Sequence, residues 1–346
     1  MQFKLTNSKI PFASLLLIAP FFLWGTAMVA MKGTISHTTP LFMAGVRTLP
    51  AGVLVIGGAA WLGRSQPRGW AAWLWIGGFA LIDAVMFQGF LAEGLVKTGA
   101  GLGSVMIDSQ PIAVALMARF LFAEWVGLWG WLGLTLGIAG ISLLGLPDDW
   151  IVSLIRGDIS FLTWQFGSDV VEALFQNGEW LMLLAALSMA AGTVMIRYVI
   201  RFADPIMATG WHMLIGGAVL FALSAQWESH QWTYLTVSDG LALSYATIFG
   251  SAIAYGLFFY FASTGSLTSI SSLTFLTPVF ALLFGNLFLG ETLSFIQWIG
   301  VLLTLISIYL INQRDALSAR IGGRQTEWIE PDDSPASVDD EAGVSL

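Results

Sequence analysis

The chain has 346 residues, of which 56% are hydrophobic and 10% charged, and its mean hydropathy is +0.78. A soluble domain carries about 25% charged residues, so this chain lacks the charge to cover a water-facing globule, and its surface is expected to meet lipid. The absence of cysteine excludes a disulfide framework, a thiol nucleophile and a Cys-based metal site. His37, His212 and His230 are too scattered to suggest a His-rich metal site.

A spanning helix needs about 20 apolar residues. Ten such stretches are read in order: 13–32, 40–62, 71–92, 100–121, 126–146, 179–200, 205–225, 239–261, 268–289 and 293–312. The breaks between them are rich in Gly, Pro and charge, and several are short enough to make successive helices antiparallel. The runs are continuous rather than alternating, which selects helices over a barrel. The first run follows a basic start, "MQFKLTNSK", but is too long for a cleaved leader and is expected to remain as a span.

Lys and Arg set the orientation. With the N-terminus inside, ten of them lie on inner segments and only Lys32, Lys97 and Arg156 on outer ones, while Arg47 lies within a span. The expectation is an N-terminus (1–12) and a C-terminal tail (313–346) that are both cytoplasmic, in a plasma (inner) membrane protein. The acidic, polar tail reads as disordered. The segment 147–178 reads as an external linker, with Ser168 or Asp169 as N-cap of a short helix.

The second half of the chain repeats the first. At a shift of 167, Pro111, Leu116, Glu124, Trp131, Gly133, Leu136 and Ile141 match Pro278, Leu283, Glu291, Trp298, Gly300, Leu303 and Ile308. Gly89 matches Gly256, and Ser104 matches Ser271. At a shift of 165, Pro40, Gly45 and Gly52 match Pro205, Gly210 and Gly217, Lys32 faces Arg197, and Arg47 faces His212. The fold class is therefore an all-α membrane protein of ten transmembrane helices, built as two five-helix repeats over 13–146 and 179–312. Five is odd, so the second repeat lies inverted relative to the first. Inverted repeats are one route to alternating access.

On these residues the chain resembles the drug/metabolite transporter superfamily, of the EamA type. The resemblance is carried by "LWGTAMVAMKG…PLFMAGVR" and by "PVFALLFGNLFLGETLSFIQWIGVLLTLISIYL", over both halves. The long middle linker and "DPIMATGWHM" resemble a cyanobacterial and chloroplast branch related to the plant walls-are-thin proteins. The resemblance implies a central cavity lined mainly by the first, third and fourth helices of each half, and transport of a small metabolite.

Ionisable groups inside a membrane are costly, which makes each a functional candidate. Asp83 and Asp108 lie near mid-span, and their matched positions are Gly250 and Phe275. Either acid is read as a proton-coupling group, as a ligand for a cationic substrate group, or as a charge partner of Arg47. Arg47 and His212 occupy matched positions, which favours snorkelling or capping of a neighbouring helix, with anion recognition as the alternative. Ser104, Asp108 and Pro111 are spaced to share one helix face, and Pro111 and Pro278 are expected to free a backbone carbonyl as bends near the midplane. Glu124 and Glu291 are expected to cap the next helix in sequence. Lys32 and Arg197 are expected to anchor helix ends at the interface.

Trp24, Trp211, Tyr255 and Tyr260 are candidate cavity aromatics, with core packing as the alternative. Gln88, Gln110, Thr274 and Thr277 are candidate hydrogen-bonding groups. Gly130, Gly133 and Gly137 have the spacing of close helix packing. No Gly-rich phosphate loop or basic stripe is seen, so no cofactor and no nucleic acid are expected. The expected partners are the lipid bilayer and a small-molecule substrate, and a homodimer is a candidate assembly. The function expected is secondary transport of an amino acid or related compound, by export or exchange. The rivals are an intramembrane enzyme using Asp83 with Asp108, and a channel or receptor-like protein.

Overall fold

The computed structural model describes residues 10–31, 33–97, 106–146, 151–153, 156, 177–289 and 294–322. Lys32, Ser104, Ser168, Asp169, Glu291 and the acidic tail beyond 322 lie outside the described residues.

The described residues form helices and no strand. α1 is Ile10–Met31, α2 is Pro40–Trp61, and α3 runs over Trp70–Lys97 with a π-helical segment, Ala80–Phe87, in its middle. α4 is Gln110–Phe122 and α5 is Gly127–Gly145. The second half repeats this order. α6 is Gly178–Val199, α7 is Pro205–Trp227, and α8 covers Val237–Thr264 with the π segment Ala246–Ile253. α9 consists of Leu267–Ser272, a 3-10 turn at Leu273–Phe275, and Leu276–Leu289. α10 is Phe295–Asn312, and a short α11, Arg314–Gly322, follows it. Eight of these helices are long and apolar enough to cross a membrane, and the apolar stretches in α1 and α4 are shorter.

The packing obeys the two-fold relation between repeats. α2 packs on α7, and α5 on α10. The contact of α1 with α9 is mirrored by that of α6 with α4, and α3 with α6 by α8 with α1. Each half thus completes the other, and neither five-helix unit is a separate body.

Glycines set the closeness of the two central crossings. A Cβ on Gly52 would lie 2.5 Å from the backbone N of Leu214, and one on Gly217 would lie 2.5 Å from that of Leu49. These are the same contact seen from the two repeats, since residues 49 and 214 are themselves matched. Between α5 and α10, Gly133 faces the Ser307 carbonyl and Gly300 the Gly140 carbonyl, at 3.0 and 2.8 Å from an ideal Cβ. The Ser307 hydroxyl donates to the Gly133 carbonyl at 2.6 Å. Small residues bring backbones together where lipid supplies no hydrophobic drive.

The structure corrects the fourth span. Within the described part of this span the helix is interrupted: Asp108 and Ser109 form a turn, with the Ser109 hydroxyl donating to the Met106 carbonyl at 2.6 Å. α4 begins at Gln110, so Pro111 lies in its first turn, where an N–H would have no intrahelical partner. Pro278 occupies the first turn of Leu276–Leu289, directly after the 3-10 segment. Pro111 therefore starts a helix, whereas Pro278 follows a 3-10 interruption inside the continuous span α9. Asp108 therefore lies in the turn that precedes α4 and not within that helix.

Glu124 is also re-assigned. Its carboxylate accepts from the Ser266 hydroxyl at 2.6 Å and from the N–H groups of Leu267 and Thr268 at 3.1 and 3.0 Å. It therefore caps α9, in the opposite repeat, instead of α5. Arg314 reaches the same carboxylate at 3.5 Å. Burial opposes the charge on Glu124, but the Ser266 hydroxyl and the two N–H groups outweigh it and hold the carboxyl below its ordinary range. A depressed folded-state value means that the stabilisation is present above the unfolded value of about 4.3 and is lost as pH falls through the folded one. Glu124→Gln is expected to cost about 0.5–2 kcal/mol at neutral pH, as for other N-caps. Thermal melts of both proteins across pH should show the gap closing below about pH 4. A gap that widens in acid would refute the cap.

Candidate functional site

The π segments of α3 and α8 face each other across the two-fold axis. A π turn carries one extra residue per turn and displaces the side chains that follow; such bulges are common at functional sites. Here they bring Asp83, Ala84 and Gln88 from α3 towards Ser251 and Tyr255 from α8, with Thr48 of α2 and His212 and Met213 of α7 beside them. These eight residues line one cavity. Six of them are three matched pairs: Thr48 with Met213, Ala84 with Ser251, and Gln88 with Tyr255. The axis of the repeat therefore passes through this cavity, whose free space is of the order of one water molecule.

A polar column crosses the axis. At one end His212 Nε2 lies 3.1 Å from Asp83 Oδ2, and both side chains are 1% exposed. The imidazole stacks on Phe79, with ring centroids 4.0 Å apart. Gly192 of α6 covers the other side of Asp83: an ideal Cβ there would lie 2.2 Å from Oδ1. In the centre, the Gln88 amide donates to the Tyr255 hydroxyl at 2.6 Å. At the far end Arg47 Nη2 donates to Gln88 Oε1 at 2.9 Å, and Nη1 lies 3.7 Å from the Met31 sulfur.

Several expectations are thereby settled geometrically. Asp83 pairs with His212 and not with Arg47. His212 is buried against Asp83, and the half-buried Arg47 bonds Gln88. Asp108 is half-buried in the turn before α4, has no hydrogen-bond or ion-pair partner among the described residues, and is not among the groups that line the cavity. The Asp83–Asp108 carboxylate pair is not formed.

The remaining candidates divide. Tyr255 lines the cavity, and Trp24 packs edge-on against it at 5.2 Å, with its indole N–H buried and unpartnered. Gln110 bonds Thr193 of α6 at 3.2 Å. Thr274 turns back to the Ser271 carbonyl at 2.7 Å, and the buried Thr277 hydroxyl has no partner. Trp211 lies at the end of the bundle, bonded to Gln66 at 2.9 Å and set against Trp73. Tyr260 packs on Phe261 and does not line the cavity. Arg197 donates to the Gly265 carbonyl, tying the end of α6 to the end of α8. Thr48, Ser251 and Gly192 were missed. The repeat held a signal for the first two, because residues 48 and 251 are the matches of Met213 and Ala84 beside charged positions.

Two inverted helical repeats, with a small polar cavity on their shared axis, define a membrane transporter architecture. The EamA-like transporter family model matches residues 11–146 and 176–313. The chain belongs to that family. It is 58% identical over 316 residues to an uncharacterized transporter of Synechocystis sp., covering 91% of this chain and 94% of that one. It is 52% identical over 302 residues to a chloroplastic WAT1-related protein of Arabidopsis thaliana, covering 86% of this chain and 68% of that protein. An uncharacterized inner membrane transporter of Escherichia coli, YedA, is 27% identical over 303 residues, covering 85% of this chain and 89% of that one. A solved crystal structure superposes with a TM-score of 0.72 over 89% of this chain and 98% of that chain; at 17% identity it shows the fold alone.

Proposed function

We propose that this membrane protein is a secondary transporter of a small organic metabolite, an amino acid or related compound, working by alternating access in export or exchange. The observation that carries this reading is the position of the cavity. It lies on the two-fold axis, and matched residues from both repeats contribute three of its pairs. If the two repeats exchange conformations, the same site opens first to one face and then to the other. Its one-water size corresponds to a closed arrangement, because pockets that hold metabolites span about 300–1,000 Å³. The Lys/Arg distribution supports a plasma-membrane orientation with both termini cytoplasmic, and the similarity to a chloroplastic protein raises an organellar membrane as the alternative site.

Counterflow is the deciding experiment. Liposomes containing only this protein and loaded with unlabelled metabolite should take up labelled metabolite transiently against its gradient. Uptake with no stimulation by internal metabolite would indicate a channel, and chemical conversion of the metabolite would indicate an enzyme. Tyr255→Phe removes a hydroxyl from the cavity wall, and the loss of one hydrogen bond from that hydroxyl to the substrate is worth about 0.5–1.5 kcal/mol. Its half-saturation for counterflow should rise by about 2–12-fold, with expression and melting temperature close to those of the parent. An unchanged half-saturation would place Tyr255 in packing only.

A further inference from the structure

The column on the axis is symmetric in shape but not in charge. His212 and Arg47 are matched residues on α7 and α2. The group that faces His212 is Asp83 of α3, and the match of Asp83 on α8 is Gly250. The neighbours follow the same exchange. Gly192 leaves space for Asp83 in one repeat, whereas Ala27 closes over Gly250 in the other, with an ideal Cβ on Gly250 only 2.6 Å from the Ala27 Cβ. One cationic position has a built-in acid. At the other the matched residue is glycine, and Ala27 fills the space.

Arg47 is therefore left with neutral acceptors. It donates to the Gln88 amide oxygen and to the Met31 sulfur, its Nε is buried without a partner, and no carboxylate pairs with it among the described residues. An arginine does not shed its proton, and even a half-buried charge without a counter-ion is unfavourable. Its bond to Gln88, which lines the cavity, directs the guanidinium to the axis rather than to a lipid headgroup. Asp83 is bonded to His212 and makes no ion pair with Arg47.

We propose that Arg47, juxtaposed with Gln88 beside the axial cavity, is the anchor for a carboxylate on the transported metabolite. The guanidinium fork suits a carboxylate. The bound anion supplies the charge that Gly250 omits, and its binding is favoured by the protein's own unpaired cation. This rests on the transporter reading for its last arm below, and on the geometry alone for the others.

The test uses the purified full chain in neutral detergent without added anionic lipid. Thermal shifts are measured with glycine, L-alanine, L-tryptophan, L-glutamate, succinate and malate, each beside its amide. At least one carboxylate is expected to raise the melting temperature while its amide does not. Arg47→Gln should weaken that carboxylate at least tenfold, and Arg47→Lys should retain part of the affinity. Ala27→Gly with Gly250→Asp reproduces the Gly192–Asp83 arrangement in the other repeat. That double variant should fold and lose the carboxylate shift, because Arg47 then has an internal partner; it also decides the matter if Arg47→Gln does not fold. Equal stabilisation by acid and amide, equal affinity in Arg47→Gln, an undiminished shift in the double variant, or no response to any carboxylate would each overturn the proposal. A carboxylate that binds through Arg47 but shows no counterflow would sink the transporter reading and leave the anchor standing. Counterflow of a neutral or cationic compound that survives Arg47→Gln would do the reverse.

Discussion

His212→Leu is expected to produce one of the largest losses of stability of any single side-chain change in this protein. The imidazole and the Asp83 carboxylate are both 1% exposed and 3.1 Å apart. Removing one partner of a buried hydrogen-bonded pair costs about 1–3 kcal/mol, and more where the surviving group is charged, because that group stays buried without a partner. Among the described residues no other donor is bonded to Asp83: its Oδ1 lacks a partner, and Gly192 closes that side. Loss of the stacking on Phe79 adds to the effect. Asp83→Asn keeps the shape and an acceptor while removing the charge, and should be milder. The double variant Asp83→Asn with His212→Leu should therefore melt above His212→Leu alone. Melting followed by fluorescence-detected size exclusion in one detergent checks all three. A His212→Leu protein that melts within a degree of the parent would show that the pair contributes nothing to the fold.

Gly52→Val and Gly217→Val are each expected to prevent accumulation of folded protein. Both glycines lie at the α2–α7 crossing, and the atom that a Cβ would meet at 2.5 Å is a backbone nitrogen, which no rotamer change can move aside. Overpacking a well-filled core costs about 1–3 kcal/mol, and here the helices must separate along their length, which removes further contacts. Because the crossing is two-fold, the two variants should fail alike. Gly57 and Gly58, on the same helix, meet nothing within 4 Å, so Gly57→Ala and Gly58→Ala should be neutral or slightly stabilising. Expression level and monodispersity on size exclusion report the contrast. A folded Gly52→Val protein alongside a damaged Gly57→Ala protein would contradict the crossing geometry.

Much of the architecture was legible in the residues themselves. Ten apolar runs, each near the thickness of a bilayer, leave little choice but helices, since backbone groups in lipid must bond within their own segment. The repeat at shifts of 165 and 167 set the two halves in opposite orientations, because each contains an odd number of spans. It also marked Asp83 and Asp108 as acids without a match in the other half, and Arg47 and His212 as matched positions. Composition and local pattern suffice for such features, which depend on neighbours along one helix.

What only the tertiary structure decided is who faces whom. Sequence put Arg47 forward as the partner of Asp83, but the α3 π segment presents Asp83 to α7, where His212 waits, and leaves Arg47 to Gln88. It assigned Glu124 to the next helix, but the carboxylate crosses to α9 of the other repeat. It placed Asp108 on a helical face, but the chain turns there before Pro111 can start α4. The physical reason is common to all three. A hydrophobic run specifies that a helix forms, and almost nothing about its rotation or about a single extra residue in one turn. Rotation is set by the close approach of glycines and by the pairing of buried polar groups on different helices, and those contacts exist only once the two repeats are packed together.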